Sequence, residues 1–387
     1  MTKSAERILV WQWGRRGAGP RIAVDLADGL RRLPDTDVLL CLSDRAEILQ
    51  SRNAPDTVVK VATYSSIQGL VGRLLTAPGF LHQLGRIVRD FRPDVAICAM
   101  PGPLDLLMTY VLRRAGVRIV VIVHDAQPHP GDGYPFQAIL QRRLIRQADQ
   151  IVTFSRHVAN GLTTGPDAVD CPVVALAHPP FIGEAAAPPF AHEGAPRILM
   201  FGRLLPYKGL DLLAEALPHV RHDFECRVVG QGPESPELGR LATLAQVRVE
   251  NRWVAEDELP RLIAWADIVV LPYREASQSG VGAMAIASGR YVVATRVGGL
   301  VEQFSDDAQA VLCAPEPGAI ATALENILEA PPPVRPQVDS GQEWENLRGI
   351  FSSAVRCLSG PASLPSRSGR GSRYAFRHRA GTCARRY

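Results

Sequence analysis

ADIVVLPYREASQSGVGAMAIASGRYVVATRVGGLVEQF, residues Ala266 to Phe304, reads twice over as strand, loop and helix. The apolar run Ile268 to Pro272 predicts a strand, Ser277-Gln278-Ser279-Gly280 a polar loop, and the small, apolar residues Val281 to Ser288 a helix. Tyr291 to Thr295 predicts the next strand, followed by a Gly298-Gly299 turn whose backbone can approach a ligand closely before Glu302. A loop ahead of a helix turns N–H groups, and here the hydroxyls of Ser277 and Ser279, toward the positive end of the helix. That environment suits a diphosphate. Each turn alone is equally what an ordinary βα connection of a parallel sheet looks like.

Working outward, the strand Arg197 to Gly202 (RILMFG) leads into Arg203-Leu204-Leu205-Pro206-Tyr207-Lys208-Gly209-Leu210-Asp211, a G-R-L-x-x-x-K-G-x-D pattern. A guanidinium and an ammonium between a strand and a helix N-terminus can stabilise the negative charge of a departing phosphate group. As two isolated loop residues they would be solvated surface charges. Near the N-terminus, the strand Arg7 to Trp13 ends in Gly14-Arg15-Arg16-Gly17-Ala18-Gly19-Pro20, with a helix starting at Pro20. Its G-x-x-G-x-G spacing is not the dinucleotide fingerprint, and no acid stands out at the end of a second strand to hold a ribose, which argues against NAD. Another strand ends in His124-Asp125-Ala126-Gln127-Pro128-His129-Pro130-Gly131-Asp132. Polar residues at the carboxyl end of a parallel strand point to a ligand cleft, so His124 and Asp125 are the candidates there, while His129 reads as loop structure.

These motifs, in this order, resemble the donor-sugar site of family 4 (group 1) retaining glycosyltransferases, which have the GT-B fold of two Rossmann-like α/β domains facing across a cleft. That family often has two glutamates flanking the loop, the second just before a helix reading A-M-A-x-G-x-P-V-V. Here Met284 stands at the second position, Tyr291 replaces the proline, and Glu275 matches the first glutamate only approximately. The chain looks like a bacterial subgroup with A-S-Q-S-G in the loop. The resemblance implies a nucleotide-diphosphate sugar as donor and a lipid-linked or saccharide acceptor in bacterial surface-polysaccharide or glycolipid assembly. It implies retention at the anomeric carbon, with no metal or other cofactor. His124, Arg203 and Lys208 would be catalytic. Gly202 and Ser277, Gln278, Ser279 and Gly280 would cradle the diphosphate, Gly298, Gly299 and Glu302 would touch the sugar, and Gly17, Gly19 and Asp125 would line the cleft. A sugar-nucleotide epimerase or phosphorylase of the same fold, or a non-catalytic nucleotide-sugar-binding protein suggested by Met284, remain alternatives.

Length and composition agree with two domains: 387 residues, 46% hydrophobic and 21% charged. The seven cysteines (41, 98, 171, 226, 313, 357, 383) show no C-x-x-C and no metal-ligand spacing, so buried thiols and a cytoplasmic setting are expected. No signal peptide or membrane-spanning run is evident. The formal charge of +4 carries no nucleic-acid signal, because residues 361–387 hold seven arginines and no acid, leaving the remainder at net −3.

The expected organisation is a Rossmann-like acceptor-side domain over 1–180, an alanine- and proline-rich linker over 181–196, a donor domain over 197–340, a terminal helix crossing back over 341–358, and a basic disordered tail over 359–387. Between Ser65 and Phe91, Leu70, Leu74, Leu75, Phe80, Leu81 and Leu84 recur among arginines. Core-facing helices are the favoured reading there over a membrane contact. Deleting residues 361–387 is expected to leave folding and donor binding intact and to weaken attachment to anionic vesicles, each basic residue contributing about 1 kcal/mol near such a surface. Loss of soluble protein on truncation would refute the disordered-tail reading.

Overall fold

The computed structural model describes residues 5–332 apart from 53, 65, 130, 132, 134, 135, 165–167 and 179–187. The expected terminal helix and tail, residues 181–187 of the linker, and Asp132 lie outside the described residues. Thirteen strands form two wholly parallel sheets among them. The first contains β1 (Glu6–Gln12), β2 (Thr36–Ser43), β3 (Val59–Val61), β4 (Val95–Cys98), β5 (Arg118–Val123), β6 (Gln150–Thr153) and β7 (Val173–Ala175), in the order β3-β2-β1-β4-β5-β6-β7. The second contains β8 (Arg197–Phe201), β9 (Glu225–Gly230), β10 (Val247–Asn251), β11 (Ile268–Leu271), β12 (Tyr291–Thr295) and β13 (Ala310–Cys313), in the order β10-β9-β8-β11-β12-β13.

Helices cover both faces of such sheets, so their central strands are apolar throughout. All four residues of β4 and of β11 are buried, as are all five of β12. The chain leaves β8 in one direction to build β9 and β10, then returns to the other side of β8 to build β11, β12 and β13. The strand order thus reverses between β8 and β11, and between β1 and β4 in the first sheet. At such a reversal the loops leaving adjacent strands diverge and open a crevice at the carboxyl edge. The motifs of the second domain leave β8 and β11, and the Gly14–Gly19 loop leaves β1.

The amphipathic stretch after β3 forms two helices, Ile67–Leu75 and Ala77–Phe91. The second buries Phe80, Leu84 and Val88, each worth about 1.5–3 kcal/mol relative to an exposed side chain. The first departs from the core-facing expectation: Val71, Leu74 and Leu75 are exposed, Leu75 at 80%. The five cysteines among the described residues carry free thiols, and all but Cys171 are buried.

The crest of the second sheet is built by carbonyl oxygens pressed against glycines. A Cβ on Gly209 would overlap the Pro272 carbonyl, on Gly298 that of Ala276, on Gly299 that of Ser277, and on Gly230 that of Gly202. Gly299 has φ −73°, so alanine there meets overlap without backbone strain. Gly299→Ala is expected to lower stability by about 1–3 kcal/mol, as overpacking does. Gly72→Ala, in a helix interior with open space around it, should stabilise by up to about 1 kcal/mol. Urea unfolding of both variants checks the contrast, and an unchanged midpoint for Gly299→Ala would contradict the close approach.

Candidate active site

Five loops meet at the cleft, each leaving the carboxyl end of a strand. In the first domain, Gln12 sits beneath the glycine loop: its Oε1 accepts the Gly14 N–H at 2.8 Å, and a side chain on Gly19 would strike its amide. Gly17 has φ +81° and open space around its Cα, so glycine is needed there for conformation. After β5, His124 is buried, its Nε2–H donating to the Ala99 carbonyl at 2.9 Å and its ring edge-on to Phe154. Burial lowers its pKa against the opposing pull of that bond and of Asp125, so the ring is neutral at pH 7. For Asp125, burial pushes upward, but hydrogen bonds from His129 and from the Ser277 hydroxyl outweigh it and hold the carboxylate below its ordinary range.

The Arg203–Gly209 and Pro272–Gly280 loops of the second domain are fastened main chain to main chain. Arg274 N–H donates to the Tyr207 carbonyl at 2.8 Å, while Gly209 abuts the Pro272 carbonyl. Lys208 Nζ lies 3.7 Å from the centroid of the Tyr273 ring and 5.0 Å from that of Tyr207. Such cation–π contacts hold an ammonium in place without neutralising it. Arg203 Nη2 donates to the Tyr207 hydroxyl at 3.2 Å, so both cations converge on one buried tyrosine. Gly202, at φ +133°, starts this turn, and its N–H is held by the Val229 carbonyl at 3.1 Å.

In the A-S-Q-S-G loop, Ser279 caps the helix Gly280–Ala287 by accepting the Gly282 N–H at 3.1 Å. Its own main chain is gripped on both sides by Gln303, whose Oε1 accepts the Ser279 N–H at 2.8 Å and whose Nε2 donates to the Ser279 carbonyl at 2.9 Å. Ser279 therefore shapes the loop, and helix geometry leaves the N–H groups of Gly280 and Val281 at its start without intrahelical partners. Gln278 Oε1 and the Tyr273 hydroxyl are buried with no hydrogen-bond partner among the described residues. An orphaned buried polar atom costs about 1–3 kcal/mol, a cost that a bound ligand with matching groups removes. Gly298 and Gly299 pack on the Ala276 and Ser277 carbonyls and reach the first domain at His157 and Ser155. Glu302 is exposed and accepts the His157 N–H at 3.4 Å.

A cavity of about 540 Å³ lies between the domains, with Phe154, Leu176 and His178 on one side and Ala283, Ile286 and Glu302 on the other. Its size suits a small ligand. Its walls include neither Arg203 nor Lys208, so it does not enclose the basic loop. Met284, in the position of the family's second glutamate, is buried in the apolar cluster under these loops. The structure thus joins Asp125 to Ser277 and the Arg203–Lys208 loop to the A-S-Q-S-G loop. His124 stands apart under Phe154. Sequence reasoning missed His129, Tyr207, Tyr273 and Gln303. Tyr207 lies inside the basic motif and was in principle readable, whereas the other three depend on distant partners.

With this geometry in view, the comparisons define the class. Residues 16–177 match the family model described as glycosyl transferase 4-like domain, and residues 195–330 the one described as glycosyl transferases group 1. The chain belongs to the family 4, group 1 glycosyltransferases, has the GT-B fold, and is an enzyme of the glycosyl-transferring class. It is 28% identical to the GDP-mannose-dependent alpha-(1-6)-phosphatidylinositol monomannoside mannosyltransferase of Mycolicibacterium smegmatis, covering 70% of this chain and 76% of that one. It is likewise 28% identical to the 2-deoxystreptamine glucosyltransferase of Streptomyces kanamyceticus, over 72% of this chain and 80% of that one. Among solved structures, Anabaena HepE in complex with UDP and glucose superposes with a TM-score of 0.65 at 16% identity, covering 92% and 99% of the two chains.

The grip of Gln303 on Ser279 yields a direct check. Gln303→Ala leaves the Ser279 N–H without its acceptor in a partly buried setting and is expected to lower stability by about 1–3 kcal/mol. Urea unfolding with an unchanged slope and a lower midpoint is the expected result.

Proposed function

We propose that the protein transfers a hexose from a nucleoside-diphosphate sugar to a lipid-linked or saccharide acceptor, with retention of anomeric configuration, in bacterial surface-polysaccharide or glycolipid assembly. The observation that carries this reading is the fastening of the two loops at the β8–β11 reversal, with Lys208 and Arg203 on one and the N-terminus of helix Gly280–Ala287 on the other. A diphosphate placed between them meets two cations and N–H groups without intrahelical partners. These stabilise it most as the glycosidic bond breaks and negative charge grows on the leaving oxygen. The named donors and acceptors of the relatives, GDP-mannose with a phosphatidylinositol mannoside among them, support the same class of reaction.

Arg203 and Lys208 hold the diphosphate, the Gly280 and Val281 N–H groups contact it, Gln278 Oε1 accepts from the adjoining sugar, and Glu302 lies toward the transferred sugar, with His124 behind Phe154 supporting that wall. Asp125 and Glu275 both face His129, and Asp211 is paired with Arg274. They do not form the free pair that retaining glycosidases use. We therefore assign no carboxylate nucleophile. The acceptor hydroxyl attacks on the face the phosphate leaves, its proton passing to the departing phosphate oxygen, and the reaction runs without a metal or other cofactor.

We also place the acceptor side against an anionic membrane surface. All six large hydrophobic residues exposed among the described residues, Val71, Leu74, Leu75, Tyr110, Phe136 and Ile139, lie on or beside helices Ile67–Leu75, Asp105–Arg114 and Gln137–Ile145 of the first domain. Arg73, Arg114, Arg142 and Arg143 belong to the same helices. Apolar side chains with arginines between them suit the headgroup region of an anionic bilayer.

Lys208→Ala is expected to weaken binding of the free nucleoside diphosphate about 10- to 100-fold, the scale of one hydrogen bond to a charged group, and to lower turnover further. The unphosphorylated nucleoside should bind as before. Equal weakening of nucleoside and nucleoside diphosphate, measured by calorimetry, would remove the phosphate assignment.

A further inference from the structure

His129 read as ordinary loop structure in the sequence, yet it touches all three loops on which the reaction depends. Its Nε2 lies 3.2 Å from Asp125 Oδ1 and its Nδ1 3.3 Å from Glu275 Oε2. Ionised carboxylates only accept hydrogen bonds, and a neutral imidazole has one donor, so both contacts are made at once only by the protonated ring. That ring lies flat on Tyr207, with centroids 4.5 Å apart and planes 13° apart. Tyr207 is the residue on which Arg203 and Lys208 converge. Asp125, in turn, receives the Ser277 hydroxyl.

We propose that His129, as an imidazolium, is the clasp that closes the cleft, tying the loop after β5 to the loops after β8 and β11 and positioning Asp125 and Tyr207 for the donor. This rests on the reading of those loops as the diphosphate site. His129 is a positioning residue: it acts through Asp125 and Tyr207, not on the reacting atoms. Among the described residues, the groups facing it are Asp125 from its own loop, Glu275 from the loop after β11, and Tyr207, carrying Arg203 and Lys208, from the loop after β8. The two carboxylates favour the charged ring and the two neighbouring cations oppose it. A bound diphosphate neutralises those cations, so donor binding and closure reinforce each other.

The dependence on pH has a definite sign. The hydrogen bond to Asp125, against burial and with help from Glu275, holds the His129 pKa above its ordinary value. Closure from this contact is therefore complete below about pH 6.5 and is lost as pH rises through the raised value. At the acid end it persists until Asp125, held low, takes up a proton. Asp25, beside Arg21 near the domain contact, is pushed up to about 6 by burial and titrates in the same experiment. Subtracting the behaviour of a His129 variant removes its contribution.

The test is small-angle X-ray scattering of the unliganded full chain from pH 5.5 to 9.5, with calorimetric binding of UDP and GDP at both ends of that range. The chains compared are the parent, His129→Phe, which retains the stack on Tyr207 without either donor, and His129→Gln, which has one neutral donor group. The parent is expected to expand as pH rises and to bind the better of the two nucleotides about 10-fold less tightly at high pH, the loss of roughly one charged hydrogen bond. His129→Phe should be expanded and weak-binding throughout, matching the parent at high pH, with His129→Gln between them. A compact His129→Phe chain, or parent-like pH curves in both variants, would overturn the clasp. If instead Lys208→Ala binds both nucleotides as well as the parent does, the diphosphate reading falls while the scattering curves still judge the clasp.

Discussion

The close approach of main chain to main chain at the crest of the second sheet is the constraint from which the site follows. Five carbonyl oxygens, those of Gly202, Leu204, Pro272, Ala276 and Ser277, press on glycines where no Cβ fits. Because these contacts are backbone on backbone, they set the loop positions with little side-chain freedom, and the side chains between them inherit that precision. Lys208 precedes one such glycine, and Gln278 and Ser279 follow directly on Ser277. On the proposed reading, charged groups that meet a diphosphate gain from such rigid support, because they need no reorganisation to reach it.

The domains are joined at two sides of the cleft by polar contacts of different character. On the side of the first helix, Arg21 is buried between Asp25 and Glu256, Trp253 Nε1 donates to Glu47 Oε2 at 2.9 Å, and the Arg16 guanidinium lies 5.3 Å from the centre of the Trp253 ring. Arginine remains charged at any physiological pH, while Asp25 beside it, pushed up to about 6 by burial, takes up a proton at the acid end. The contacts of His129 lie on the active-site side, where the partner is a histidine whose pKa Asp125 holds above its ordinary value. The two sides thus answer to different groups, a buried carboxylate on one and a histidine on the other.

Met284 shows how a departure from a family pattern can be accommodated physically. The helix Gly280–Ala287 turns this position into the apolar cluster shared by the two domains, which also holds Leu271, Ala285 and Phe304. A glutamate there would lose its hydration with no paired cation among the neighbouring apolar residues, and a polarisable, flexible thioether fills the space instead. Gln303 supplies the polar fastening of the loop from the next helix. The loop therefore keeps its shape without an acid at position 284.

The sequence by itself determined the alternation of strands and helices, the parallel α/β class, and the local build of the two second-domain loops, because apolar runs, glycine turns and capping serines act within a few residues of themselves. Ser279 as a helix cap and Gly17 at a positive φ belong to this local category. The tertiary structure alone decided which loops lie together. Lys208 meets Tyr273, Ser279 meets Gln303, and His129 meets Glu275 across 146 residues. It also decided that Leu74 and Leu75 face outward while Phe80 and Leu84 face inward, although the same periodicity runs through both helices. The physical reason is that strand order and the seating of one domain on the other arise from burying surfaces far apart in the chain, and local periodicity does not encode which of those surfaces will meet.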